Sequence, residues 1–328
     1  MTSLKDFSGK IAFITGGASG AGLGQAKLFA KEGMKIVIAD VRQDALDSAV
    51  NEIVEYGASK DDVLAVKVDL TNREEYIAAA DKTEKVFGGP PHLFIQTAGV
   101  NAFGPAEAST FDDYDWVMGV CLDAVINGLV IFVPRMIKAY AGKTSCHIAV
   151  TSSMGAFRGG ATTTPYSAAK AAVNNLMYSY YEALKPYGIG ATTLCPANIR
   201  SNIGEAEKLR PAHLKNTGYN VTEKTMGVLN AIHAHGMDPI ELAGWLKEAI
   251  ENEQVICMPY ENNQEIMRDH AEYLFNLSSP EGMKRNAELD KAREKQREEM
   301  MKLAPSEDVG FAKARSDLDW VESSRKFK

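Results

Sequence analysis

From residue 11 to residue 259 the chain alternates short apolar, β-branched runs with longer amphipathic stretches, and that alternation narrows its fold more than any other feature. The runs 11–15, 35–40, 63–69, 92–97, 146–151, 190–195 and 255–259 are predicted strands. Between them 25–32, 43–56, 73–87, 112–139 and 166–185 carry apolar residues at helical spacing. Strands that are apolar on both faces must be covered on both, which means βαβ units and a parallel sheet between helical layers. Right-handed crossovers make this an α/β, doubly wound, Rossmann-like sheet. Ligands of such sheets bind beyond the carboxyl ends of the strands. Two segments fall outside the pattern. The insertion 204–238, punctuated by Pro211, Gly218, Gly227 and Gly236, is expected to lie over the strand ends as a lid. Residues 261–328 form a charged, mainly helical extension, in which 288–299 reads as a solvated helix with i,i+4 charge pairs. The expected division is therefore a domain over 1–260 and an extension over 261–328.

The first strand runs into Thr15-Gly16-Gly17-Ala18-Ser19-Gly20-Ala21-Gly22 and then a helix. Glycines there let the backbone turn tightly, approach a pyrophosphate and present amides at a helix N-terminus. Asp40 ends the second strand, about twenty residues on, where a carboxylate meets the adenosine ribose diol. The same charge repels a 2′-phosphate by roughly a few kcal/mol. Arg42 is expected to be an exposed first-turn residue, so NAD is favoured over NADP. Asp69 ends the third strand and, with Leu70, is placed to meet the adenine; as a helix N-cap acid it has an equally ordinary role.

Bulk properties exclude other classes. A net charge of -7 leaves no basic face for nucleic acid. No run of about eighteen apolar residues stands out, so no membrane span is expected, and the polar start has no signal-peptide core. Cys121, Cys146, Cys195 and Cys257 are scattered through apolar runs, as reduced thiols of a cytoplasmic protein are. His233 and His235 lack a third ligand at metal spacing, so no metal is expected.

Tyr166 and Lys170 stand one helical turn apart, with Ser153 upstream. A phenol working near neutrality needs a shift of roughly three units, about 4 kcal/mol, and a neighbouring cation supplies it most directly. The spacing alone is common. Together with 15–22, Asp40, Asp69, Ala98, Gly99, Ser153 and the run 196–201, however, it resembles the short-chain dehydrogenase/reductase family over residues 8–260. The resemblance implies Tyr166 as acid/base, Ser153 as the partner of the substrate oxygen, and Lys170 as the group that lowers the phenol and holds the nicotinamide ribose. It implies NAD contacts from Gly16, Ser19, Gly20, Ala21, Gly22, Asp40, Asp69, Leu70, Ala98, Gly99, Pro196, Ile199 and Ser201, shared with Tyr166 and Lys170.

Three departures from the family pattern carry expectations. Gln96-Thr97 stands where it has two asparagines, so polar bracing must be rearranged, and Pro196-Ala197 replaces Pro-Gly. Cys121 stands at its fourth catalytic position, an Asn whose carbonyl holds a relay water. A Cys keeps the carbonyl and loses the steadying amide, so the relay is expected to weaken and Cys121→Asn to raise turnover. The segments 97–105, 126–128, 132–136, 196–203, 209–211 and 232–236 further resemble bacterial NAD-dependent Cα-dehydrogenases, which oxidise the benzylic alcohol of lignin β-aryl ether dimers. The expected substrate is a bulky aromatic secondary alcohol or ketone. The apolar stretch 125–136 points to a homodimer or homotetramer. The alternatives are a short-chain reductase of another hydrophobic ketone, a cofactor-binding subunit with weak catalysis, and a lyase or epimerase using bound NAD.

Overall fold

In the computed structural model, residues 3–215, 219, 221–277, 291–296 and 298–299 are described. Seven strands pair in parallel in the order β3-β2-β1-β4-β5-β6-β7. They are β1 Ile11–Thr15, β2 Lys35–Asp40, β3 Val63–Lys67, β4 Leu93–Gln96, β5 Cys146–Thr151, β6 Ile189–Leu194 and β7 Ile256–Cys257. The chain starts at the centre, winds out to β3 and returns at β4, so β1 and β4 diverge at a switch point where a crevice opens. Every residue of β1, β4, β5 and β6 is buried, as two covered faces demand.

One face is covered by α3 Arg73–Phe87, α5 Ala124–Tyr140 and α6 Thr164–Leu184. Its core centres on aromatic rings, with Phe132 4.7 Å from Phe13 and 4.5 Å from Phe94. The other face carries α1 Gly20–Lys31, α2 Gln43–Glu55 and α8 Pro239–Glu251, packed through Phe29, Ile38, Leu46 and Leu246. Two strand boundaries differ most from expectation. β3 stops at Lys67 because 69–72 turn back on themselves, with Asn72 N–H bonded to the Asp69 carbonyl at 3.0 Å. β7 shrinks to two residues at the sheet edge, short of Pro259, which has no N–H for a ladder.

The predicted helix over 112–139 is α4 Phe111–Met118 and α5, joined by a π-turn at Gly119–Asp123. This run corrects the expectation that nothing has the composition of a span. Phe111–Tyr140 is long and apolar enough by composition, but more than half of its most apolar window is buried, with α5 in the core on one face of the sheet. The insertion contains 3₁₀ turns at Ile203–Leu209 and Ala212–Leu214 and then α7 Glu223–Ala234, capped by Thr222. It rejoins the body where Met237 bridges Ile199.

The chain forms two units, Met1–Tyr260 and Glu261–Lys328. In the second, α9 Glu261–Asn276 and a helical piece at 291–296 are described. The solvated helix expected over 288–299 thus falls partly outside the described residues.

Candidate active site

A cavity of about 660 Å³ opens at the switch point, beyond the carboxyl ends of the strands. Every site residue expected from the sequence lines it except Gly22. Gly22 acts one step back, since a Cβ there would lie 2.2 Å from the Gly16 carbonyl. Gly16 has φ +64°, and its added Cβ would meet Ala98 at 2.8 Å, so the loop closes down on the segment that follows β4. Ser19, the N-cap of α1, makes no capping hydrogen bond, and the first turn has no acid. The amides of that turn are left for an anion. Ser201 comes up against the same loop, 3.1 Å from where a Gly20 Cβ would be.

Asp40 is buried, but Arg42 is not the exposed residue expected. It is the N-cap of α2, and its Nε lies 3.2 Å from Asp40 Oδ1, while Nη2 donates to Ser19 Oγ at 2.8 Å. The Arg42 amide takes the same Oδ1 at 3.1 Å. The ribose end of the cavity is therefore walled by an acid whose charge is half answered. Asp69 accepts from Thr71 N–H and Oγ–H at 2.9 and 2.7 Å, whereas Asn72 caps α3. It is a turn residue lining the cavity, and the N-cap role belongs to its neighbour.

Pro165 in the first turn of α6 sets up Tyr166 and, one turn on, Lys170. Lys170 is buried, 5.5 Å from the centre of the Tyr166 ring, and donates to the Thr151 carbonyl at 2.7 Å. The expected lowering of the phenol gives way to a rise. Burial pushes Tyr166 above its ordinary range, opposed in part by a hydrogen bond with Ser153, and burial pushes Lys170 down. An ammonium has three donors; one meets Thr151, leaving two for ribose hydroxyls. Ser153 Oγ accepts the Gly155 amide at 3.0 Å, which fixes it while its own O–H remains a donor.

The Gln96-Thr97 departure is resolved by a three-way bridge. The Thr97 hydroxyl lies 2.6 Å from Gln25 Oε1 on α1 and 2.8 Å from Thr151 Oγ1 on β5. Gln96 reaches the Val125 carbonyl at 3.2 Å.

Cys121 is held by contacts on both sides of its sulfur. In the π-turn its thiol donates to the Val100 carbonyl at 3.1 Å and accepts the Val100 amide at 3.4 Å. The thiol thus braces both backbone groups of Val100. Cys121→Ala should cost roughly 1–3 kcal/mol by stranding a buried amide and carbonyl, and Cys121→Asn should restore most of that. Denaturant midpoints check this; an unchanged midpoint for the alanine variant would show the sulfur contacts to be idle.

The cavity is also lined by the apolar side chains of Phe103, Trp116, Val120, Ile203, Leu209 and Leu214. His233 lines it too and bonds Asn198 Oδ1 at 2.7 Å, whereas His235 is exposed on the insertion. No group of metal-ligating side chains occurs among the described residues. Sequence reasoning missed Trp116, His213 and the bridge residues Gln25 and Thr151. Their only signal was their closeness to strand or helix ends.

The short chain dehydrogenase model matches residues 10–211. A "C alpha-dehydrogenase" of Sphingobium sp. is 46% identical over 290 residues, 87% of this chain and 93% of that protein. The apo crystal structure of LigD from Sphingobium sp. superposes with a TM-score of 0.69 at 41% identity, covering 84% of this chain and all of that one. A short chain dehydrogenase/reductase from Burkholderia phymatum, solved with NAD, gives a TM-score of 0.77 at 30% identity, covering 84% and 98%.

Proposed function

The chain belongs to the short-chain dehydrogenase family, and from that premise we propose that it is an NAD-dependent dehydrogenase of bulky benzylic secondary alcohols. One observation carries the proposal: Ser153, Tyr166 and Lys170 line the same cavity as the glycine loop and Asp40, beside an apolar chamber. The uncapped first turn of α1, the glycine cradle and the two unspent donors of Lys170 fit a dinucleotide. NAD, when bound, supplies the hydride acceptor. Gly16, Ser19, Gly20 and Ala21 would hold its pyrophosphate, Asp40 its adenosine ribose, and Asp69 and Leu70 its adenine. Ala98, Gly99, Pro196, Ile199 and Ser201 would frame the nicotinamide end. Tyr166, as phenolate, takes the hydroxyl proton as the carbinol is oxidised, and Ser153 donates to the substrate oxygen. Lys170 stabilises the phenolate and passes the proton on.

The similarity to a Sphingobium "C alpha-dehydrogenase" supports an aromatic alcohol as substrate. The test is NADH formation from β-aryl ether dimers bearing a benzylic hydroxyl, set against one-ring alcohols. Absence of NADH with every aromatic alcohol would refute the proposal. Residues 1–260 would form the catalytic domain and 261–328 an extension, in a cytoplasmic homo-oligomer. Ile126 and Val130, exposed on apolar α5, support contact with a second copy.

Arg42 bears on cofactor choice. By answering Asp40 it softens the repulsion of a 2′-phosphate, so Arg42→Ala should sharpen the preference for NAD. The expected change in the NAD to NADP ratio of kcat/KM is roughly fivefold, about 1 kcal/mol for a partly exposed pair. An unchanged ratio would show Arg42 to be a neutral wall residue, and a move toward NADP would show that it favours NAD.

A further inference from the structure

The lid is joined to the body by an ion pair that solvent does not reach. Arg210 follows the 3₁₀ turn Ile203–Leu209, and its Nη1 lies 2.7 Å from Asp113 Oδ1 on α4, both side chains fully buried. Its Nε donates to the Leu214 carbonyl at 2.6 Å, and its guanidinium lies 5.0 Å from the centre of the Trp116 ring. Glu207 Oε2 approaches it at 3.7 Å. The other Asp113 oxygen takes the Thr110 amide and hydroxyl at 2.8 and 2.9 Å, so a single carboxylate caps α4 and holds the lid.

Burying two charges is costly, and apolar replacements of such pairs are often as stable or more stable. Stability alone therefore gives poor reason for the pair. A planar fork held from several directions supplies a single geometry instead. The parts so held are Leu209, Pro211 and Leu214 on the lid and Trp116 on α4, all of which line the cavity, while Arg210 and Asp113 do not. The reacting alcohol is anchored elsewhere, by Ser153 and Tyr166 on the β5 loop and α6.

We infer that Arg210 and Asp113 form a latch that fixes the apolar wall receiving the second ring of a two-ring alcohol, and so act as positioning residues for substrate selectivity. The inference rests on the alcohol-oxidising reading of the site. It calls for the full-length protein with NAD, the charge-free pair Arg210→Met/Asp113→Leu, which keeps the volume apolar, and the conservative Arg210→Lys. The probes are a β-aryl ether dimer with a benzylic hydroxyl and 1-phenylethanol.

In the double variant KM for the dimer should rise at least roughly tenfold with kcat within about threefold, since a misplaced wall removes binding shared by ground and transition states. KM for 1-phenylethanol and the Kd for NADH should stay within about twofold. Arg210→Lys, which keeps the charge and loses the fork, should fall between the double variant and the parent. Equal losses for both alcohols, or no loss for the dimer, would overturn the latch. Calorimetric binding of the dimer to the enzyme–NADH complex separates the two readings. A dimer that binds but is not oxidised, with the same loss in the double variant, refutes the reaction and supports the latch. A parent protein that does not bind the dimer overturns the latch itself.

Discussion

Tyr166→Phe is expected to lower kcat for alcohol oxidation by roughly 10²–10⁴-fold, the usual range for removing a positioned acid/base. The ring stays, so the packing of α6 beside Lys170 is kept and only the titrating oxygen goes. NADH binding should weaken by no more than about fivefold, the loss of one hydrogen bond near 1 kcal/mol. Ser153 cannot substitute, because its Oγ is held by the Gly155 amide and an alcohol oxygen is a poor base. The pH dependence gives the sharper signature. Burial holds the phenol above its ordinary value near 10, so oxidation needs a proton to leave a group that keeps it at neutral pH. The parent kcat/KM should therefore climb with pH across the alkaline range, while the residual rate of the Phe variant stays flat. A Phe variant that keeps the parent's rise would move the acid/base role to another group.

The parallel sheet was legible because its strands are apolar on both faces, a pattern that reads the same whether or not the neighbours are known. Tyr166 and Lys170 were legible because a helix turns chemistry at i and i+4 into a shared face. What stayed hidden depends on distance along the chain. Asp113 and Arg210 are 97 positions apart, and nothing local in either segment announces the pair. Arg42 looked exposed from its place at a helix start, yet the turn after β2 folds it back on Asp40. Cys121 looked like the loss of a steadying amide, and its two contacts with Val100 could not be read from a residue 21 positions away. That burial raises the phenol also needed the structure, since sequence supplies the neighbour and says nothing of the solvent around it.

Lys170→Met should separate activity from stability. The ammonium is buried with one carbonyl partner, and burial pushes its pKa below the ordinary 10.5. Methionine fills a similar volume without the charge, at the cost of an unpaired Thr151 carbonyl. Because an uncompensated buried cation costs more than one carbonyl, the apo protein should gain about 1 kcal/mol, or about 2–4 °C in Tm. The sign of the pH dependence follows from proton counting. Between the depressed value and 10.5 the unfolded chain holds a proton that the folded chain lacks, so the parent gains stability as pH rises through that window. Below the window the burial cost stands in full. The advantage of the Met variant should thus be largest below that window and shrink toward about pH 10. Activity should move the other way. kcat should fall roughly 10²-fold or more as the phenolate loses its neighbour, and NADH should bind roughly ten- to a hundredfold more weakly without the charge-assisted donors. Thermal unfolding across pH, with NADH titration, measures both. A Met variant less stable than the parent at neutral pH would mean that the bond to Thr151 outweighs the cost of burying the charge. Lys170 would then belong to the framework as much as to the chemistry.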